Sequence, residues 1–194
     1  MKLVTIYGSP TPPGKLARAL GLLETGVRDR HPGWEVERIA PAEAIDLVTA
    51  TWPGDAVEKV AGADAVVIAS PVFRGSITGT LKLLLDTLPV EALRSTPTAV
   101  LTVAAAPHHC LGAERHLRDI LTWFGALTAP NGAFFVDRVF AAEEVPADVL
   151  GELAELADEV VVLAERLGGR PFGPAPLAAR RGGPPPAAAA VPAP

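Results

Sequence analysis

The stretch "AVVIASPVFRGSITGTLKLLLDTLP", residues 65–89, decides the fold. Its opening run, Ala65 to Ala69, has no polar residue on either face, the pattern of a strand covered on both sides as parallel sheets are. Ser70 and Pro71 break that run, because proline brings no N–H to a ladder. From Ile77 to Leu88 leucines recur at helical spacing on one broad face. Strand, short restricted loop and helix in this order make half of a βαβ unit, and the loop Ser70 to Ser76 falls at the carboxyl end of the strand.

Working outward, the same alternation repeats. Lys2 to Tyr7 reads as a strand, Leu16 to Arg30 as an amphipathic helix, Trp34 to Ile39 as a strand and Asp55 to Ala61 as a short helix. Beyond the central stretch come a buried strand over Thr98 to Ala104, a helix over Cys110 to Gly125, a last strand over Leu127 to Val136 and a closing helix over Pro146 to Leu167. Five strands alternating with helices predict an α/β, doubly wound, three-layer sandwich on a parallel sheet. Such sheets bind ligands outside the carboxyl ends of their strands, where the strand order reverses.

Composition narrows the function. With 194 residues, 49% hydrophobic and 20% charged, the chain can bury one core but not two. We expect one domain over residues 1–167 and an unpacked Pro/Ala/Gly-rich tail over residues 168–194, whose composition buries too little apolar surface to offset its ordering entropy. The formal net charge is −5, and four arginines with no acidic residue follow Glu165, so the domain is more acidic than the whole. That disfavours a nucleic-acid surface. No window has the roughly 18 consecutive apolar residues of a membrane span, and a cytoplasmic protein is expected. The single Cys110 cannot form an intramolecular disulfide or a thiolate metal cluster.

Three loops face the expected site. In "YGSPTPPGKLARAL", residues 7–20, Gly8 and Gly14 permit close backbone approach, Ser9 and Thr11 carry hydroxyls, and free amides at a helix start could receive an anion beside Lys15 or Arg18. The same residues also suit a plain turn with solvated cations. In the central loop Phe73 offers a flat apolar face, Gly75 and Ser76 offer amides, and Ser76 is a candidate helix cap; Phe73 plugging the core and Ser76 or Thr78 merely capping is the plainer reading. The third loop, "TVAAAPHHCLGAERHL", residues 102–117, carries His108 and His109. Adjacent side chains of an extended loop diverge, which disfavours zinc, and no G-x-S-x-G elbow marks a hydrolase. Cys110 reads as a small buried thiol rather than an activated nucleophile.

The segment "SPVFRGSITGTLKLLLDTLP" resembles that of the flavodoxin-like NADPH-dependent FMN reductases, especially the small reductases that supply reduced flavin to two-component alkanesulfonate-type monooxygenases. The likeness extends from Met1 to about Val162 and includes "GSP" after the first strand and "HHCLGAERHLRDIL", with a family histidine at His109. It implies the strand order 2-1-3-4-5, FMN as cofactor or substrate, NADPH or NADH as hydride donor, a flavin-dependent monooxygenase as partner, and a homodimer or homotetramer. It implies that Pro71, Val72, Phe73, Arg74 and Ser76 contact the flavin ring and that Ser9 lies at the phosphate; with Thr11, Lys15 and Arg18 from the first loop, and Gly75, Ala105 and His109, these are the expected cofactor-binding residues. No side chain is assigned acid or base work, since the cofactor carries the chemistry.

Two departures bear on affinity. Where the family has Ser-x-Arg-x-x-Ser and a further hydroxyl, this chain has Ser9, Thr11, Gly14 and Leu16, so phosphate donors are missing. Where the family commonly has Gly-Gly beside the flavin's pyrimidine edge, Ala104 and Ala105 stand, and their methyl groups restrict backbone approach. Weak flavin binding is expected, as suits a reductase that releases its product. A flavoprotein that retains FMN and reduces a quinone, azo compound or metabolite, and a binding or assembly protein that has lost flavin, are the alternative readings.

Overall fold

A computed structural model describes residues 1–42, 51–176 and 180. Its elements in chain order are β1 (Lys2–Tyr7), α1 (Lys15–Arg30), β2 (Glu35–Ile39), α2 (Ala56–Ala61), β3 (Ala65–Pro71), α3 (Gly79–Thr87), β4 (Pro97–Ala104), α4 (Gly112–Phe124), β5 (Leu127–Thr128), β6 (Ala133–Val136) and α5 (Ala147–Leu167). The sheet runs β2-β1-β3-β4-β5, with β6 also on β4, and every pairing is parallel. The expected doubly wound order is therefore present.

Period-two alternation explains the layers. Leu3, Tyr7, Ala65, Val67, Ala69, Leu101 and Val103 point to one face and pack with α1 and α5. Val4, Ile6, Val66, Ile68 and Val100 point to the other, against α2, α3 and α4. Both faces of β1, β3 and β4 are thus dry, which is why these strands read as unbroken apolar runs. Between the α1–β2 connection and α5, Trp34 Nε1 donates to Glu165 Oε1 at 2.9 Å and His31 Nε2 meets Asp158 Oδ1 at 2.8 Å.

The expected last strand, Leu127 to Val136, is in fact two. β5 pairs with Pro97 and Thr98, β6 with Leu101 to Ala104, and Ala129 to Gly132 bulge between them. Pro130 brings no N–H to a ladder. The bulge is held instead by buried Glu114 of α4, whose Oε1 accepts from Gly132 N at 3.1 Å and Arg118 Nε at 2.8 Å, while Arg118 Nη2 donates to Pro130 O at 3.0 Å.

The tail expectation needs correction over its first residues. α5 ends at Gly168 in the left-handed conformation, but the chain then returns along the amino end of the sheet. Phe172 N donates to Ser95 Oγ at 2.8 Å, and that hydroxyl donates to Phe172 O at 3.1 Å. Pro176 is buried against Gly125. Backbone pairing with one hydroxyl and proline packing hold this stretch, neither of which composition reveals. Residues 177–179 and 181–194 lie outside the described residues.

At the carboxyl end of β1 the packing is tightest. Gly8 N donates to Ala69 O at 2.7 Å, and a Cβ on Gly8 would lie 2.8 Å from that same carbonyl and from Leu81 Cδ2. A ladder carbonyl cannot retreat. Gly8→Ala is therefore expected to destabilise the fold by about 1–3 kcal/mol through overpacking, a fall in Tm of roughly 2–4 °C per kcal/mol for a chain of this size, read by thermal unfolding.

Candidate functional site

The carboxyl ends of β1, β3 and β4 open into one cleft of about 260 Å³, walled by Ser9, Thr11, Gly14 and Lys15 on one side and by Pro71, Val72, Phe73 and Ala105 on the other. Tyr7, Pro12, Leu16, Val103, Ala104 and Asp137 complete its lining. Seven of the expected residues thus meet: Ser9, Thr11, Lys15, Pro71, Val72, Phe73 and Ala105.

The first loop holds three prolines, which fix φ, and is braced by its own side chains. Tyr7 Oη donates towards Thr11 O and Pro12 O at 3.3 and 3.4 Å, and Ser9, 3% exposed, shares a 2.8 Å hydrogen bond between its Oγ and Thr11 Oγ1. Gly14 precedes α1 at φ −145, and no side chain caps the helix start. The first amides of α1 therefore keep their donors for a ligand. A Cβ on Gly14 would meet only Pro12 O, at 3.9 Å, so the space above the helix start is open. Room, uncapped amides and two hydroxyls fit a small anion such as a phosphate monoester.

The second loop is a tight hairpin tip. Phe73 and Ser76 exchange backbone hydrogen bonds at 2.9 and 3.0 Å, and Arg74 and Gly75 between them have φ of 54 and 75. Two positive φ values mark a type I′ turn, and an arginine in that conformation is strained. Packing maintains it: Gly75 O lies so close to Gly112 that a Cβ there would be 2.8 Å away, and Ser76 Oγ meets His116 Nδ1 at 2.7 Å. Phe73 is left 38% exposed over the cleft, a flat apolar wall.

Of the two cap candidates in the sequence, Ser76 does not cap α3. Thr78 does: its Oγ1 accepts from Leu81 N at 3.0 Å and donates to Gly8 O at 2.6 Å. Ser76 is diverted because the turn carries its side chain towards α4. Arg74, Gly75 and Ser76 form the tip beyond the cleft's lining.

Three further expectations change. Arg18 is turned away from the cleft, its Nη1 donating to Phe140 O at 3.0 Å and to Ala142 O and its Nη2 to Glu143 O at 2.7 Å; the anion-binding role read for it gives way to clamping the chain after β6. His109 lies in the 3-10 turn Pro107–His109, its ring 4.3 Å from that of His108, with a buried Nδ1 that has no partner among the described residues. It does not line the cleft, and Cys110, which ends that turn, is exposed and not the buried thiol expected. Among the described residues no group of three or more His, Cys, Asp or Glu side chains is placed to hold a metal.

Sequence reading missed Asp137. It follows Val136, the residue opposite Ala104 in the β4–β6 ladder, and its Oδ2 accepts from Lys15 Nζ at 2.8 Å. The available signal was its place just after the last strand, at the carboxyl edge where the other two loops converge.

Over residues 1–141 the amino-acid sequence matches the family described as NADPH-dependent FMN reductase. The chain belongs to that family. A protein named NADH-dependent FMN reductase SfnF from Pseudomonas fluorescens is 32% identical over 94 residues, covering 48% of this chain and 50% of that protein. FMN reductase (NADPH) of Escherichia coli is 30% identical over 148 residues, covering 71% of this chain and 74% of that protein. The match thus spans about half the length of the Pseudomonas relative and most of the Escherichia coli one. Among solved structures, an oxidoreductase from Corynebacterium diphtheriae superposes with a TM-score of 0.68 at 26% identity, covering 85% of this chain and 97% of that one. A flavodoxin from the Archaea, with a TM-score of 0.62 at 11% identity over 85% of this chain and 99% of that one, shares the fold.

The hydroxyl of Thr78 joins the first loop to the second, so Thr78→Val, nearly isosteric, removes the α3 cap and leaves Gly8 O buried without a donor. A loss of about 1–3 kcal/mol is expected, measured as a lower urea midpoint with an unchanged m-value.

Proposed function

We propose that this protein is an NAD(P)H-dependent FMN reductase that treats flavin as a diffusible substrate. The observation that carries the reading is the cleft itself, which sets an apolar aromatic wall at Phe73 opposite an uncapped helix start with neighbouring hydroxyls. A planar ring with a phosphate-bearing side chain needs those two features at opposite sides of one groove. Family membership supports the choice of flavin.

Bound there, a flavin would supply the chemistry of hydride acceptance from a reduced nicotinamide nucleotide. Phe73 and Val72 give the ring an apolar surface and exclude water from one side. Ser9, Thr11 and the first amides of α1 bind the phosphate, and Ala105 borders the polar edge. The strained tip at Arg74 and Gly75 holds Phe73 in place before any ligand arrives, which lowers the entropy cost of binding.

Release of the reduced product suits a flavin-dependent monooxygenase that takes up reduced FMN, and we propose such an enzyme as the partner. No helix among the described residues is long and apolar enough to cross a membrane. Leu83 and Trp123, 51% and 56% exposed on α3 and α4, provide apolar surface for the homodimer or homotetramer we propose.

The test is a spectrophotometric assay of NADH and NADPH oxidation with added FMN, together with desalting of FMN-loaded protein. Turnover with FMN and loss of the yellow colour on desalting are expected; retained colour with slow flavin turnover would favour the reading as a flavoprotein with resident FMN. Phe73→Ala is expected to weaken flavin binding by about 1–3 kcal/mol, the scale of one aromatic contact, measured by fluorescence titration of the folded variant.

A further inference from the structure

We propose that Asp137 sets how far this cleft distinguishes a phosphate-bearing flavin from a phosphate-free one, by sharing the cation that the phosphate would otherwise hold alone. The inference rests on the reading of the cleft as a flavin site. Lys15 is the only lysine or arginine among the described residues lining the cleft, and its Nζ lies 2.8 Å from Asp137 Oδ2.

The carboxylate is held there by the fold. Asp137 directly follows β6, whose last residue pairs with Ala104 at the cleft edge, and it opens the 3-10 turn Asp137–Phe140. Arg18, one turn along α1 from Lys15, binds the carbonyls of Phe140, Ala142 and Glu143. Helix α1 therefore grips both ends of the segment 137–143: Lys15 takes its first side chain, Arg18 its last carbonyls. The Arg18 contacts fix the backbone just after Asp137, which keeps its carboxylate within reach of Lys15.

A phosphate arriving at the α1 start meets an ammonium already paired and a carboxylate of its own sign nearby. Charge-assisted bonds to phosphate are the strong contacts of such a site, and like charges a few ångströms apart repel. A phosphate-free flavin, held through its ring at Phe73, meets neither effect. Lys15 and Asp137 have side chains 44% and 32% exposed, so water screens the pair and the effect is moderate.

The experiment is a titration of the full chain with FMN and with riboflavin, followed by flavin fluorescence, for the parent, D137N, D137S, K15Q and the D137N/K15Q pair. In the parent the two flavins should bind within about tenfold of each other; D137N and D137S should tighten FMN by about tenfold while riboflavin changes less than about twofold, the scale of one screened charge contact. K15Q should weaken FMN alone, and the gain from D137N should shrink in the K15Q background, since part of it passes through the freed ammonium. Inorganic phosphate should compete with FMN better in D137N than in the parent. Weaker FMN binding in both Asp137 variants would show that the carboxylate orients Lys15 for the phosphate, and equal changes for both flavins would place Asp137 outside phosphate recognition; either result overturns the proposal while leaving the flavin site standing. Failure of both flavins to bind the folded parent overturns the reading of the cleft and this proposal with it.

Discussion

The cleft depends on one close approach, that of Gly8 to β3 and α3. Because residue 8 has no side chain, β1 can end against Ala69 O and Leu81, and its carbonyl can take a hydrogen bond from Thr78. That hydroxyl also starts α3. One buried contact thus sets the distance between the loop after β1 and the loop after β3, and the groove between them is what remains. Few alternative geometries are open to it, since buried backbone groups must stay paired.

Most of the strong polar contacts nearby serve the fold. Arg38 makes a two-point contact with buried Glu24, at 2.7 and 2.8 Å, and Thr5 donates to the same carboxylate across β1. Glu114 and Arg118 hold the bulge between β5 and β6. Arg18 clamps the chain after β6. Lys15 is left at the cleft and shares its charge with Asp137, so the site relies on backbone amides and neutral hydroxyls. A ligand held chiefly by an apolar wall and by such donors can leave, which fits the proposed use of flavin as a diffusible substrate.

The strained tip shows a second division of labour. Arg74 occupies a conformation that glycine favours, at a cost on the order of 1–3 kcal/mol. Reciprocal hydrogen bonds between Phe73 and Ser76, the close contact with Gly112 and the Ser76–His116 contact offset that cost. The strain buys a fixed aromatic surface. Gly112 matters for the same reason as Gly8, being a place where one backbone must touch another.

Sequence alone determined the layered α/β architecture, the strand order once the resemblance was recognised, and the composition of the cleft's two walls, because burial on both faces of a strand, helical periodicity and turn chemistry are local signals written in neighbouring residues. Ser9, Thr11, Lys15 and the run Pro71 to Phe73 were legible for that reason. Contacts between residues far apart in the chain were not: Thr78 rather than Ser76 caps α3 because Gly8 O lies above it, Arg18 leaves the site because carbonyls more than a hundred residues away converge on it, and Asp137 joins the site because β6 runs beside β4. The split of the last strand and the docking of Phe172 on Ser95 belong with these. Each turns on which groups meet in space, and a hydrogen-bond donor or a cation goes to the nearest partner of the right charge and geometry, a choice that only the folded backbone presents.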